Sequence, residues 1–364
     1  MSSISPQQVL AFRIHAQQLD RDTGTTADLA VLDIGAQDTG PDGGLWALEV
    51  RGADTAAAAP DELATVWSLR GAPHVYRRAD LPSVAAAVAP FSEADAAKRV
   101  LNAAKPLKAA GISALTALDT VAEQMHTIVT EPMAKGDVST ALTARLDPPY
   151  LRYCRPCDAT HCYEMPFRLG ALRGGVQLQA GTSPPVLERL PGHRPEPARP
   201  QHDVVRAYLR LLGPATPRQV AGYLDAPTKD VQARWASDAV PVDLGGEQRW
   251  VLAEDLDRLT DADAKATRLL GPHDLFLQAR DRDLLVDDPA HAKALWPVLG
   301  RPGAVLVGRE IAGLWRPRQA GGMLYLAITP WRGFTKTQRT AVTMQAERLA
   351  AFRGVRLGAV TYAE

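Results

Sequence analysis

The sequence predicts an α+β fold that starts with repeated helix-and-hairpin units and ends in a β-rich domain. Two observations carry this prediction. Residues 203–259 hold three helix patterns followed by two short β-rich runs, and the same order recurs loosely in residues 111–192. After residue 270, short apolar runs separated by Gly, Pro and polar pairs become the dominant pattern. A chain of 364 residues has room for roughly two to four such domains.

The unit at residues 203–259 is the clearest in the chain. Gly213-Pro214 ends its first helix, and Thr216 caps the second, which has Pro217 at its first position. Gly245-Gly246-Glu247 forms a hairpin tip. The predicted elements are helices at 203–212, 217–224 and 228–235 and strands at 240–244 and 249–252. Three helices followed by a hairpin is the order of a winged helix-turn-helix, whose commonest use is binding double-stranded DNA.

Two earlier segments repeat this order less clearly. The second unit, at residues 111–192, has predicted helices at 112–128, 138–146 and 163–173 and strands at 176–179 and 186–190. The N-terminal domain, residues 1–110, is the weakest copy, with a helix at 6–19 and strands at 66–70 and 74–78. A proline-rich linker at 193–200 leads into the third unit, which we place at residues 201–262.

The last predicted domain, residues 263–364, combines short strands with one long helix. Its predicted elements are strands at 303–307, 311–315 and 323–328, a helix at 336–352 and a final strand at 354–362. The tandem units and this domain together make the predicted class α+β.

Composition and charge describe an ordinary globular chain. Apolar residues make up 46% and charged residues 23% of it, and no apolar run reaches the length of about 18 that spans a membrane. Three cysteines and an N-terminus without an apolar leader favour the reducing cytoplasm. The net charge is zero, but residues 254–288 hold ten acidic and five basic residues, whereas residues 316–364 hold two acidic and eight basic. A neutral total can therefore contain a basic surface that binds phosphates.

Four phrases resemble a known family. They are Trp67-Ser68-Leu69-Arg70-Gly71-Ala72-Pro73-His74, Tyr208-Leu209 with Gly213-Pro214-Ala215-Thr216, Leu270-Gly271-Pro272-His273-Asp274, and Arg301-Pro302-Gly303-Ala304-Val305-Leu306-Val307 with Gly313-Leu314-Trp315-Arg316. In this order they resemble the winged-helix DNA-binding family that contains the bacterial crosslink-repair DNA glycosylases of the AlkZ/YcaQ type. The resemblance implies tandem winged helix-turn-helix domains with a C-terminal β-barrel-like domain. It also implies hydrolysis of the N-glycosidic bond of alkylated or bulky-adducted purines in double-stranded DNA.

The same resemblance singles out Gln37 as the candidate catalytic residue. Glycosylases of the family carry a Gln-apolar-Gln or Gln-apolar-Asp motif, and the matching stretch here is Ile34-Gly35-Ala36-Gln37-Asp38. Gln37 fits the second position, but Gly35 replaces the first Gln. A cationic alkylated base departs readily, so the enzyme mainly needs a positioned water and stabilisation of the developing charge. Gln37 can orient that water; alternatively, it caps backbone or holds DNA at an inactive site.

Five basic side chains are candidates for DNA binding. His74 matches a family histidine in an Arg-Gly-x-x-His phrase, and Arg77 and Arg78 follow it on the same predicted hairpin. Arg168 and Arg173 lie on the third helix of the second unit. The alternatives are a histidine packed at a turn and charge pairs on solvated surfaces.

Every cysteine of the chain lies in one short stretch beside a histidine. The order Cys154-x2-Cys157-x3-His161-Cys162 offers ligands that zinc prefers. The spacing lacks the second distant pair of the familiar zinc fingers, and buried thiols around an ordered loop are the alternative. Phosphate-cradling and serine-nucleophile motifs are also missing from the sequence. We predict no cofactor and leave zinc binding open.

Three functions remain open at this stage. The first is a DNA-repair glycosylase that acts as a monomer on duplex DNA. The second is a non-catalytic DNA-binding protein, a regulator or a lesion binder, which the replacement by Gly35 favours. The third is a set of winged helices that contact only other proteins. Salt-dependent duplex binding separates the first two functions from the third.

Overall fold

The structure is a computed structural model that describes residues 2–41, 43–59, 61–264 and 266–363. Most helices of these residues lie between short strands. They are α1 (Pro6–Ala16), α2 (Gly43–Glu49), α3 (Leu81–Ala87), α4 (Glu93–Arg99), α5 (Ala104–Ala109), α6 (Ala114–Ile128), α7 (Lys135–Thr143), α8 (Glu164–Arg173), α9 (Val204–Leu212), α10 (Pro217–Leu224), α11 (Thr228–Ala233), α12 (Arg282–Leu285), α13 (Pro289–Leu295) and α14 (Lys336–Phe352).

The strands of the described residues form four sheets. They are β1 (Ser2–Ile4), β2 (Ala36–Gln37), β3 (Leu63–Trp67), β4 (Pro73–Arg77), β5 (Met133–Ala134), β6 (Leu151–Cys154), β7 (Ala159–Cys162), β8 (Val176–Leu178), β9 (Val186–Arg189), β10 (Ala239–Leu244), β11 (Glu247–Leu252), β12 (Thr267–Leu270), β13 (Gly303–Val307), β14 (Glu310–Ala320), β15 (Met323–Pro330) and β16 (Arg356–Tyr362). The mixed content confirms the α+β class.

Capping residues explain where several helices begin. Ser5 and Gln8 form a capping box at α1, and Thr335 and Gln338 form another at α14. The caps satisfy backbone N–H groups that have no partner inside the helix. The predicted bounds of α14 are accordingly confirmed at both ends.

The two predicted units of helices and hairpin are present as secondary structure. Helices α9, α10 and α11 precede the antiparallel hairpin β10–β11, and α6, α7 and α8 precede the hairpin β8–β9. Helix α7 starts at Lys135, three residues before the predicted start at residue 138. A second hairpin, β6–β7, which the sequence analysis did not predict, lies between α7 and α8.

The N-terminal segment contributes strands to two sheets. Strand β1 pairs in parallel with β10 and joins the hairpin β10–β11. Strand β3 pairs with β8 at Thr65 and Leu178, which makes one six-stranded sheet in the order β2-β4-β3-β8-β9-β5. The strands predicted at 66–70 and 74–78 lie instead at Leu63–Trp67 and Pro73–Arg77, because Arg70 adopts a left-handed turn between them (φ 58°).

The C-terminal strands form one five-stranded sheet in the order β12-β13-β14-β15-β16. Its pairs are antiparallel except β15–β16, which α14 connects as a crossover, and α14 packs beside β12 and β16. No pairing joins β12 to β16 among the described strands, so the sheet is open. The barrel-like closure implied by the family resemblance is not found.

A buried core and two buried ion pairs join the N-terminal helices to the C-terminal domain. Trp46 of α2 packs in the same core as the β-sheet strands and donates to the carbonyl of Leu269 at 2.7 Å. Fully buried Arg51 donates to both carboxylate oxygens of Asp274, at 2.7 and 2.9 Å. Arg13 binds Asp281 in the same bidentate way, at 2.9 and 2.8 Å. These pairs place the turn that precedes Asp274 against strand β2.

The described helices include none that is both long and apolar enough to cross a membrane.

Candidate active site

Gln37 ends the edge strand β2, and its amide is held on both sides. Its register partner on β4 is His74. The Nε2 group donates to Thr39 Oγ1 at 3.0 Å and lies 3.3 Å from His273 Nδ1, while Oε1 accepts from Arg70 at 3.1 Å. Both amide hydrogens and one lone pair of the oxygen are therefore engaged. The second lone pair of Oε1 remains for a water or a substrate.

Arg70 is the side chain that joins Gln37 to the rest of the site. Its guanidinium donates to the carbonyl of Tyr223 at 2.8 Å and to Gln278 Oε1 at 2.6 Å, besides its bond to Gln37. It also stacks on the Tyr223 ring, with 4.5 Å between the guanidinium carbon and the ring centre. Helix α10 and the C-terminal domain thus both hold the group that orients Gln37.

His273 approaches Gln37 from the C-terminal domain as a neutral imidazole. Burial lowers the pKa of His273, and the charges of Arg301 and Arg70 lower it further. A neutral ring accepts from Gln37 at Nδ1 and carries its proton on Nε2, a tautomer that follows from the donor at Gln37. Gln278 donates to the His273 carbonyl at 2.6 Å and so fixes the turn.

Four arginines around this site have no carboxylate in ion-pair contact among the described residues. They are Arg70, Arg280, Arg282 and Arg301, which we call the arginine cluster. Desolvation and the Arg70 charge lower the pKa of Arg280, although this residue keeps an exposed surface. Desolvation and then the charges of Arg280 and Arg301 lower the pKa of Arg282. Like charges held together in this way favour an anion such as a phosphate.

The profile of the DNA glycosylase AlkZ-like family matches residues 31–352, which include Gln37, Arg70 and the whole arginine cluster. The chain belongs to the AlkZ-like DNA glycosylase family.

Two relatives come from Streptomyces sahachiroi. A protein described as an interstrand DNA cross-link repair glycosylase is 29% identical over 174 residues, which are 45% of this chain and 46% of that protein. The match thus spans about half the length of this curated relative. The solved structure of the DNA glycosylase AlkZ has a TM-score of 0.74 at 20% identity and covers 100% of both chains. At that identity the likeness shows that the two chains share a fold.

Gly35, which the sequence prediction aligned with the first motif Gln, has no room for a side chain. Gly35 has φ +90°, and a Cβ atom placed there would lie 2.4 Å from a ring carbon of Tyr76. The buried Tyr76 hydroxyl donates to the carbonyl of Ile34 at 3.0 Å and bonds with Ser68 Oγ at 3.0 Å. The Tyr76 ring therefore fills the volume in which a side chain at position 35 would begin.

Restoring the motif with Gly35→Gln is expected to destabilise the fold. The left-handed backbone and the contact with Tyr76 together cost about 2–5 kcal/mol. Gly40→Gln is the matched control, because Gly40 has φ +89° and open space around it, so about 1–2 kcal/mol is expected there. Urea denaturation of both variants measures the difference. Equal losses in the two variants would show that Tyr76 does not exclude a side chain from position 35.

His74 lies behind the site and does not face solvent. It is fully buried, and its Nδ1 lies 2.9 Å from the Ala72 carbonyl and 3.0 Å from Ser68 Oγ. Burial, followed by the charge of Arg70, lowers the pKa of His74 to about 3, so the ring is neutral near pH 7. Because the His74 side chain has no exposed surface in this structure, it is not placed for the predicted direct contact with a phosphate.

Arg77 and Arg78 are used inside the fold. Arg77 donates to the carbonyls of Thr26 and Leu29, at 3.0 and 2.6 Å, and to Asp33 at 2.8 Å. Arg78 donates to the carbonyls of Asp61 and Leu63, at 2.8 and 3.1 Å, and to Gln177 Oε1 at 2.8 Å. These bonds fasten the N-terminal hairpin to its neighbours, and DNA binding by the half-buried Arg77 and Arg78 stays a prediction.

Arg168 and Arg173 remain partly exposed on α8, but each has a carboxylate partner. Arg168 donates to Glu164 at 2.6 Å and to the carbonyl of Gly71 at 3.1 Å, and Arg173 is paired with Asp119. Arg168 reaches the turn beside Arg70 through Gly71. Neither residue belongs to the arginine cluster, and their role in DNA binding stays a prediction.

Asp38 points away from Gln37. Its Oδ1 accepts from the backbone N–H of Gly44 at 2.8 Å at the start of α2, and burial raises its pKa. Its bond is therefore to helix α2 and not to the site around Gln37.

Charges counted along the chain do not reveal the arginine cluster. Residues 254–288 have an acidic excess, yet Asp274 is neutralised by Arg51, and Asp281 by Arg13 and Arg249, all in the interior. Arg280 and Arg282, which flank Asp281, are left without such partners. The alternation Arg280-Asp281-Arg282 next to the phrase that contains His273 was the available signal.

Proposed function

We propose that the chain is a DNA-repair glycosylase that hydrolyses the N-glycosidic bond of alkylated or bulky-adducted purines in double-stranded DNA. The observation that carries this proposal is the Gln37 amide, fixed by Arg70, Thr39 and His273 beside a cluster of arginines without acidic partners. Family membership supports the same activity.

The proposed role of Gln37 is to orient water. Its free Oε1 lone pair accepts a hydrogen from a water that attacks the anomeric carbon, while Arg70 and His273 keep the amide from turning. A cationic alkylated purine leaves as a neutral base, so the site needs no strong acid. Neither the amide nor the neutral His273 bears a negative charge, and stabilisation of the oxocarbenium character therefore falls to oriented dipoles.

The arginine cluster is proposed to bind the phosphates that flank the lesion. Arginine forks match phosphate oxygens, and their mutual repulsion in the free protein is relieved when an anion binds. A phosphate held there places the adjoining sugar near Gln37. Arg280, Arg282 and Arg301 are proposed for this role, with Arg70 shared between the phosphate and Gln37. Arg168 and Arg173, which are partly exposed on α8, stay candidates for further DNA contacts.

The units of helices and hairpin are proposed to be tandem winged helices that support duplex binding. Helices α9–α11 with β10–β11 form one, and α6–α8 with β8–β9 another. We keep the domain division at 1–110, 111–192, 193–200, 201–262 and 263–364 as a proposal about sequence units. We further propose that the protein acts as a monomer in the cytoplasm.

Arg280→Ala is expected to weaken duplex binding for all sequences alike. Losing one phosphate contact lowers the slope of log affinity against log salt concentration by about 1. Fluorescence anisotropy over a range of salt concentrations measures this slope. Arg332→Ala is the matched control, because Arg332 is exposed but already paired with Glu310 at 2.9 Å. An unchanged slope for Arg280→Ala would remove that residue from the phosphate site.

A second candidate is a DNA-binding protein without catalysis, which the closed position at Gly35 favours. One assay separates the two functions: purified protein is incubated with duplex DNA containing an N7-alkylated guanine, and abasic sites are scored by alkaline strand cleavage. The glycosylase is expected to form abasic sites only at the alkylated base. Salt-dependent binding without abasic sites would favour the binding protein.

A further inference from the structure

The hairpin β6–β7 carries a compact group of sulfur and nitrogen ligands away from the site described above. The ligand atoms of Cys154, Cys157 and His161 all lie within 4.8 Å of one another. Two of these residues end or follow β6, and the third lies on β7. The group therefore forms as soon as the hairpin closes.

Local backbone geometry brings the two thiols together. A 3₁₀ turn over Arg155–Cys157 follows β6, and Asp158 then adopts a left-handed conformation with φ 47°. This tight return places the Cys157 sulfur 3.4 Å from the Cys154 sulfur. In a tetrahedral zinc site with Zn–S bonds of about 2.3 Å, two sulfurs are about 3.8 Å apart, so only a small adjustment is required.

The histidine is already oriented as a ligand. His161 Nδ1 lies 2.8 Å from the Cys162 carbonyl, to which it donates when it carries the ring proton. Nε2 then keeps the lone pair that a metal requires. Zinc-bound histidines are typically oriented by such a bond from the other ring nitrogen to a carbonyl or carboxylate.

We propose that Cys154, Cys157 and His161 bind one Zn²⁺ ion, with water as the fourth ligand. The third cysteine is excluded by geometry, since the buried Cys162 sulfur lies 3.5 Å from the Tyr163 carbonyl and outside the group. The ion stabilises an isolated two-stranded hairpin, which is marginal on its own. Because Glu164 begins α8 shortly after β7, the same ion steadies the start of that helix.

A second group of side chains that could bind a metal lies elsewhere in the described residues, but arginines already bind its carboxylates. Asp33, Asp80 and His202 also lie close together. Their carboxylates are already bound by Arg77, Arg199 and Arg210, at 2.8–3.3 Å. Protein cations occupy the place of a metal there, whereas the Cys154 and Cys157 sulfurs contact each other.

Zinc content and thiol state test the proposal on the full chain. Protein purified under reducing conditions and passed over a chelating resin is expected to hold about one zinc per chain by mass spectrometry. Cys157→Ser is expected to lower this value to near zero. Cys162→Ser, the matched control, changes a cysteine outside the group and is expected to keep the ion.

Cobalt exchange keeps the test informative if Cys157→Ser folds poorly. Wild-type protein stripped of metal and loaded with Co²⁺ is expected to show thiolate-to-cobalt charge-transfer absorption, and prior addition of Zn²⁺ is expected to prevent it. Wild-type zinc near zero with no cobalt band would overturn the proposal. A Cys154–Cys157 disulfide in freshly reduced protein would also overturn the proposal. Zinc that persists in the Cys157→Ser variant would do the same. None of these outcomes bears on the proposed glycosylase activity.

Discussion

Replacing Gln37 with alanine is expected to lower the single-turnover rate of base release by about 100-fold to 1,000-fold. The variant loses the amide that Arg70, Thr39 and His273 hold at the end of β2. A water at the anomeric carbon then has no fixed acceptor, although the phosphate contacts remain. Affinity for duplex DNA is therefore expected to stay within a few-fold of wild type, and the loss appears in the chemical step.

The control for this change is Gln179→Ala, which removes an exposed amide on the hairpin β8–β9 side of the molecule. Its rate is expected to equal that of wild type. A Gln37→Ala variant that releases the base at the wild-type rate would show that the water is positioned by another group. Equal loss of rate and of DNA affinity would instead indicate that Gln37 contacts the DNA.

Asp274→Ala is expected to reduce the free energy of unfolding by about 3–5 kcal/mol. The substitution leaves the fully buried Arg51 guanidinium without its carboxylate, and it also removes the cap that accepts from Phe276 N at 2.9 Å. Because His273 precedes Asp274, the turn that contacts Gln37 loses its anchor as well. Equilibrium unfolding in urea, followed by tryptophan fluorescence, measures the change.

Glu310→Ala provides the comparison for a solvent-exposed pair. Glu310 lies 2.9 Å from Arg332, and both side chains are more than half exposed, so a change below about 1 kcal/mol is expected. If Asp274→Ala destabilised the protein no more than Glu310→Ala does, the buried pair would not be what joins the N-terminal helices to the C-terminal domain.

Local sequence patterns correctly predicted the elements that are marked by a capping box or a continuous apolar run. The helix Lys336–Phe352 begins at a capping box and ends before Arg353, and the strand Gly303–Val307 is a continuous apolar run. Both were predicted with their observed bounds. The N-terminal segment was predicted less well, because β1 pairs with β10 and β3 with β8 across long stretches of chain. Nothing in the local spacing reports such pairings.

The candidate site likewise combines residues that carry a local sequence signal with residues whose role depends on tertiary contacts. Gln37 was predicted from a short motif and stays a prediction, whereas Arg70 and His273 lay in phrases that carried the family resemblance but were given no role. Arg77 looked like a DNA contact in the sequence, but the structure shows that its guanidinium binds Asp33 and backbone carbonyls. Which arginine is paired inside and which is left for a ligand depends on tertiary contacts, and a count of charges along the chain cannot report them.

The lack of space for a side chain at Gly35 limits the number of polar groups in the proposed active site. The motif predicted from the family resemblance has two polar side chains, whereas the Tyr76 ring fills the space beside Gly35. Among the described residues, the Gln37 side chain is hydrogen-bonded to Arg70, His273 and Thr39. We expect a glycosylase that depends on a leaving base that is already cationic, with little activity on unmodified purines.

The most direct measurement is abasic-site formation under single-turnover conditions, with enzyme in excess over a duplex that contains one N7-alkylated guanine. Wild type and Gln37→Ala are compared at saturating protein, and duplex binding is recorded in the same samples. The proposed function predicts abasic sites from wild type and a rate at least about 100-fold lower from Gln37→Ala, at similar DNA affinity. Tight binding by wild type with no abasic sites would contradict it.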